Sequence, residues 1–593
     1  MFLLGIAFLL FEALAGATAP PAPAIEQELD VRIRMRDGVE LSTNVFRPSS
    51  PARVPTILVR TPYDNGTGLA PYYRPFVEHG YALVIQDVRG RYDSQGVFEP
   101  LRQESNDSED TLDWIARQPW SSRRIGMMGG SYLGIVQWKA ALLDNTYLKA
   151  IFPVVSGCDD YRDRFYSEGG AFKLGQRLEW MAENVRIHGM MKPDFARFIW
   201  NVPLRTSDRV ATGRVVDFYQ QALNHPAYDA FWKDLSTRER LDRVRIPVLA
   251  AGGWYDNFAE SDLEAFRILR SHGRANRLVI GPWPHNMSAE FPGTDFGPQA
   301  KLALRELQME WFDYWVKENG EDAARNAESK IANPPLRIFV MGANRWRDEE
   351  EWPLSRARTV AFYLGGRGRA NTLNGDGLLE PVEPRRQASD QYVYDPKSPV
   401  PTTGGAVCCN PKVLPWGPLD QRGVEKRRDV LVYTSAPLTH DTEVTGPIRA
   451  VLYVSTSQPD TDFTAKLVDV FPGGYARNLT DGVLRLRYRD SLEKPAPARP
   501  GQIYPIAIDA GVTSNVFLKD HRIRLEISSS NFPRFDRNPN TGRPVADEHE
   551  FRRANETVYH GRRMPSRLLL PVVPYEESPF AGSRHSQSAR VLR

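Results

Sequence analysis

Hydrophobic patterning divides this chain into two textures. Between Thr56 and Gly281 short, near-continuous apolar runs alternate with stretches of helical character, whereas beyond Pro334 apolar and polar residues alternate singly. The runs of the first part are TILVR (56–60), YALVIQ (81–86), IGMMG (125–129), AIFPVV (150–155), PVLAA (247–251) and LVIG (278–281). Strands apolar on both faces suit a parallel sheet covered by helices on each side. Helices are predicted between them, over Ser108–Arg117 and Tyr132–Leu143, so the layout is doubly wound α/β. Ahead of these runs, LDVRIRMRDGVELSTNVF (29–46) alternates on both sides of Asp37-Gly38, the pattern of a hairpin turning at Asp-Gly.

One interval interrupts the α/β rhythm. Residues 155–246 are helical, charged and aromatic, with no strong strand, and read as a helical cap inserted over the active-site end of the sheet. Its aromatic residues, Trp180, Phe195, Phe198, Trp200 and Trp232 among them, are expected to form core rather than ligand contacts. A further helix is predicted near Lys301–Glu318, closed by Asn319-Gly320. After Pro334, runs such as LRIFVMG, IRAVLYVST, DFTAKLVDVF and HRIRLEISSS are separated by Gly, Pro and Asp, which implies an all-β sandwich or jelly roll. The expected organisation is a leader (1–19), an α/β-hydrolase part (27–154), the cap (155–246), a second α/β part (247–333), a β jelly-roll domain (334–575) and a polar tail (576–593).

Composition narrows the class only slightly. Across 593 residues, 76 Lys and Arg stand against 73 Asp and Glu, a net charge of +3, so no nucleic acid or membrane surface is expected as partner. Self-association is left open. Cys158, Cys408 and Cys409 are the 3 cysteines, too few for a disulfide framework. A bond between the adjacent Cys408 and Cys409 is not expected without strain; a bridge from one of them to Cys158 is an open alternative, and buried free thiols are the expected state. No His/Cys/Asp grouping has metal-ligand spacing, and no cofactor is expected. At the N-terminus an apolar run, Phe2–Leu14, precedes Ala17-Thr18-Ala19, which fits an A-x-A cleavage site, so the protein is expected to be exported. That run is too short for a comfortable membrane span.

The strongest chemical signal is IGMMGGSYLG (125–134). A strand runs directly into a helix through a tight Gly-Gly-Ser turn, which leaves the hydroxyl of Ser131 exposed above the sheet. Such a hydroxyl needs a base. In this architecture the acid and then the histidine follow later strands. PVLAAGGWYDNF places Asp256 just past the run 247–251, and LVIGPWPHN places His285 just past 278–281. All three side chains then reach the carboxyl end of one sheet.

With these residues in view, the chain resembles the cocaine esterase / X-prolyl dipeptidyl-peptidase (S15) family of α/β-hydrolases. The matching pieces are TPYDN (61–65), DVRGRYDSQGVF (87–98), GGSYLG (129–134), GGWYDNF (252–258), GPWPHN (281–286) and RIFVMGANRWRDEEEWP (337–353). The resemblance implies a Ser131–His285–Asp256 triad, and an oxyanion hole made by the Tyr63 hydroxyl and the backbone N–H of Tyr132. Phe258 and Trp283 are expected to line the acyl pocket. The Gly-rich loop around Arg89, Arg91 and Asp93 is read as structural support for the site. The implied reaction is hydrolysis of a small acyl ester or short peptide through an acyl-enzyme. Relatives that handle α-amino acid esters carry Glu-Asp shortly after the catalytic Asp; here Asn257, Phe258 and Ala259 follow. That favours esters over the alternative of X-Pro peptides or other amides, although Glu260 and Asp262 lie close by. A secreted glycan-binding protein with an inactive hydrolase domain is the distant alternative.

Overall fold

The structure, a computed structural model, describes residues 24–317 and 334–574. The expected leader and polar tail, and the end of the helix placed near 301–318, lie outside the described residues.

The hairpin forms as the alternation predicts: β1 (Ile25–Arg34) pairs antiparallel with β2 (Glu40–Pro48), Arg34 opposite Glu40. The six apolar runs become β3 (Val54–Thr61), β4 (Ala82–Asp87), β5 (Ser121–Gly130), β6 (Leu148–Val154), β7 (Val248–Gly253) and β8 (Asn276–Gly281). They join one sheet in the order β1-β2-β4-β3-β5-β6-β7-β8. From β4 to β8 every pairing is parallel, so all carboxyl ends share one edge. Every residue of β4, β7 and β8 is buried, which is why these runs show no alternation. The sheet continues past β8. Leu336–Val340, whose texture groups it with the β domain, is the next parallel strand, and Arg345–Glu349 closes the edge antiparallel to it.

Several polar residues inside this core form one hydrogen-bonded network. Arg60, the last residue but one of β3, is fully buried; its guanidinium donates to Glu104 at 2.9 Å and to Gln86 at 2.7 Å. Glu104 opens a helix over Glu104–Arg117 and also accepts from the Tyr132 hydroxyl at 2.7 Å. Pairing of opposite charges offsets much of the cost of burying them, and this network holds the residue after Ser131 from below.

Between β6 and β7 the chain forms the short helices Leu174–Asn184, Phe195–Ile199, Ser207–Thr212, Asp217–Asn224 and Ala230–Leu235. In the first of them Leu174, Leu178, Met181 and Ala182 are buried, an i, i+4, i+7, i+8 stripe facing the core. The expectation of core aromatics holds for Phe198 and Trp232, whereas Trp200 is exposed and Trp180 turns toward the site.

The C-terminal domain is all-β, an 11-stranded sheet with long antiparallel pairings such as Thr442–Thr456 with Tyr504–Phe517. One hydrophobic cluster runs from its strands to Trp254, Tyr255 and Leu263 of the α/β domain. The Tyr255 hydroxyl donates to the Asn478 carbonyl of the β domain at 3.1 Å. The β domain therefore clamps the segment that ends at Asp256.

Candidate active site

Ser131 stands where β5 passes into the helix Tyr132–Ala141, with φ 58° and ψ −125°. A non-glycine residue in that region is strained, and the surroundings must hold it there. The Ser131 N–H donates to the Val154 carbonyl at 2.9 Å, pinning the turn to β6. Two residues earlier Gly129 has φ +138°, and a Cβ there would lie 2.5 Å from Cβ of Leu133. Only glycine fits both requirements.

The three residues placed by the strand order come together. His285 Nε2 lies 3.0 Å from Ser131 Oγ, and His285 Nδ1 lies 2.9 Å from Asp256 Oδ1. A carboxylate only accepts, so Nδ1 carries the proton and Nε2 is left to accept from the serine hydroxyl. Asp256 is buried. Its loop and that of His285 touch closely: a Cβ on Gly253 would lie 2.0 Å from the Trp283 carbonyl oxygen. The glycine pair at the end of β7 is thus what lets the acid reach the imidazole.

Tyr63 lies just past β3, and its phenol interacts with the Ser131 side chain and with the backbone N–H of Tyr132. Tyr63 and Tyr132, the two expected oxyanion donors, are thus neighbours at Ser131. The Trp180 indole donates to the Tyr63 oxygen at 3.1 Å. That bond occupies an acceptor position of the phenol and leaves its own proton to be donated. Burial pushes the Tyr63 hydroxyl above the usual phenol range, so it stays protonated. The Gly-rich loop acts as the support expected of it. Arg89 bridges Asp37 and Asp107, and Arg91 donates to the Pro62 carbonyl at 3.0 Å, next to Tyr63.

A pocket of about 530 Å³ opens in front of Ser131, lined by Tyr63, Phe165, Arg177, Trp180 and Phe258, among others. Phe258 sits where expected, its ring centroid 5.6 Å from that of His285. Trp283 does not: it is fully buried, its indole donates to the Ala300 carbonyl at 2.7 Å, and its ring packs on Trp346. It anchors the loop bearing His285 instead of contacting the pocket. Trp180, expected in the core, lines the pocket and holds Tyr63. Arg177, three residues earlier on the same helix, carries no sequence signal.

The cysteines also depart from expectation. Cys158 is a buried free thiol, but Cys408 and Cys409 form a disulfide with each other. Cys409 takes φ 94°, which turns its side chain back toward its neighbour where an extended chain would point it away. The pair comes from the β domain and forms part of the pocket wall.

The acidic residues after Asp256 turn elsewhere. Asp262 is buried and accepts from the Gly157 N–H at 3.1 Å; burial, then the charge of Asp256, push its carboxyl well above the usual range. Glu260 faces a separate polar cavity with Glu168, Asp509, Lys173 and Arg534. No Asp or Glu among the described residues lines the pocket at Ser131.

Fold and site together define a serine hydrolase of the α/β-hydrolase class. Residues 37–287 match the family profile described as X-Pro dipeptidyl-peptidase (S15 family), and residues 330–569 match its C-terminal non-catalytic domain. A cocaine esterase from Rhodococcus sp. (strain MB1 Bresler) is 39% identical over 575 residues, covering 92% of this chain and 98% of that protein. Among solved structures, an aminopeptidase from a marine sediment Thaumarchaeota archaeon superposes with a TM-score of 0.81 at 25% identity, covering 95% of this chain and 99% of that one. An α-amino acid ester hydrolase superposes with a TM-score of 0.80 at 25% identity, covering 95% and 100%. The chain belongs to the cocaine esterase / X-prolyl dipeptidyl-peptidase (S15) family. Among the described residues no helix is long and apolar enough to cross a membrane.

Proposed function

We propose that this enzyme hydrolyses carboxylic esters through an acyl-enzyme on Ser131. The observation that carries the reading is the hydrogen-bonded line Asp256–His285–Ser131, open to a pocket without a carboxylate. His285 takes the Oγ proton as the serine attacks the ester carbonyl, and returns it to the departing alcohol. Asp256 fixes the tautomer and stabilises the imidazolium. The Tyr63 hydroxyl and the Tyr132 N–H bind the oxyanion where charge develops. Water, activated by the same imidazole, releases the acid. A fluorophosphonate, which reacts with activated serines, should label the wild type and spare Ser131→Ala.

The lining also bears on the acyl group. A buried ammonium needs a compensating negative charge. The aromatic wall of Phe165, Trp180 and Phe258 favours apolar acyl groups, at roughly 25 cal/mol per Å² buried. An N-acetylated amino acid p-nitrophenyl ester should therefore exceed its free-amine counterpart in kcat/KM by about tenfold or more. A tenfold preference for the free amine would move the X-Pro dipeptidyl-peptidase reading ahead.

Export is part of the same proposal. It is supported by the apolar run Phe2–Leu14 and the A-x-A pattern at 17–19. N-terminal sequencing of the mature protein from its native host should give a start near Ala19–Ala24; an intact Met1 end would contradict export.

A further inference from the structure

Arg177 is a cation in the pocket with no anion assigned to it. It lies on the helix Leu174–Asn184, at the edge of the buried stripe between Leu174 and Met181, and lines the cavity with Ser131 and Tyr63. Its guanidinium is held flat by two rings, 4.3 Å from the Phe165 centroid and 5.7 Å from that of Trp180. One hydrogen bond fixes it, from Nη2 to the Arg164 carbonyl at 2.8 Å, and its buried Nε has no partner. Among the described residues no carboxylate reaches it within ion-pair distance.

The surroundings do not supply the missing charge. Asp160, a carboxylate whose charge acts on Arg177, is already shared by Lys139 at 2.6 Å and Arg164 at 2.8 Å. Burial raises the Asp163 carboxyl to about 8, so it is largely neutral at neutral pH. Burial, and then Arg164, depress Arg177 itself to about 9. A planar guanidinium with open donors is the group that recognises carboxylates in bidentate fashion.

We infer that Arg177 determines specificity, and that the acyl half of the substrate bears a carboxylate beyond an apolar spacer. The aromatic wall would take the spacer and the guanidinium the charge, so the preferred substrates are monoesters of dicarboxylic acids. This rests on the esterase reading above but can fail separately from it.

The test compares p-nitrophenyl hydrogen adipate with its neutral methyl ester, which share a leaving group and a chain length. The wild type should favour the anionic ester, and Arg177→Met should lower the ratio of the two kcat/KM values by about 10- to 100-fold, the usual effect of a charged hydrogen bond. Arg177→Lys, which keeps the charge, should retain part of the preference. An unchanged ratio in Arg177→Met, or an equal loss on both esters, would overturn the inference. Calorimetry removes the dependence on turnover: monomethyl adipate should bind Ser131→Ala, and bind it measurably more weakly once Arg177→Met is added. Equal binding would overturn the inference, whereas binding that persists when neither ester is hydrolysed would count against the esterase reading alone.

Discussion

Replacing Ser131 with alanine should lower kcat by about 10⁶-fold and leave the fold intact, the scale on which removal of a triad nucleophile acts in other serine hydrolases. The turn does not depend on the hydroxyl. Its geometry is set by Gly129, by the Ser131 N–H to Val154 carbonyl bond and by the helix that begins at Tyr132. The oxyanion donors and the pocket survive the substitution, so substrate should still bind. Circular dichroism and thermal melting should match the wild type while p-nitrophenyl ester turnover falls to background. Substantial turnover in a well-folded Ser131→Ala protein would remove Ser131 from the mechanism.

Tyr63→Phe should lower kcat by about 10²–10³, as for other single oxyanion donors, with a much smaller change in KM. The phenyl ring keeps its packing, so the loss is chemical. The hydroxyl it deletes is the one that the Trp180 indole orients from behind at 3.1 Å. The effect belongs to the transition state, because the oxygen it stabilises gains its charge only there. Burst-phase measurements should show acylation and deacylation both slowed, since each passes through an oxyanion at the same site. An unchanged kcat, with chemistry shown to be limiting, would make Tyr63 structural.

The legible parts of this protein were those written in local order. The parallel strands show as apolar runs because both faces are covered, and the elbow shows because strand, glycines, serine and helix are contiguous. Asp256 and His285 follow from their places just after β7 and β8. Tyr63 needed the family resemblance, since TPYDN alone is an unremarkable turn. What stayed hidden depends on how distant segments meet. Arg177 and Trp180 line the pocket because their helix is folded over Ser131, a meeting of distant segments that no local pattern records. Trp283 is two residues from His285, yet its ring is drawn to Trp346 and Ala300. Leu336–Val340 reads like any strand of the β domain, and only its pairing with β8 assigns it to the α/β sheet. The Cys408–Cys409 bond depends on the backbone turning to a positive φ at Cys409, which the two letters do not encode.

In the proposed mechanism Ser131 carries the acyl group between the two halves of the reaction. Mass spectrometry of enzyme quenched during turnover of a slowly deacylating ester, followed by peptide mapping, tests it directly. One acyl adduct per chain is expected, on the peptide containing Ser131, absent from Ser131→Ala and formed more slowly in Tyr63→Phe. An adduct on another residue, or full turnover with no adduct under conditions where deacylation is limiting, would contradict it.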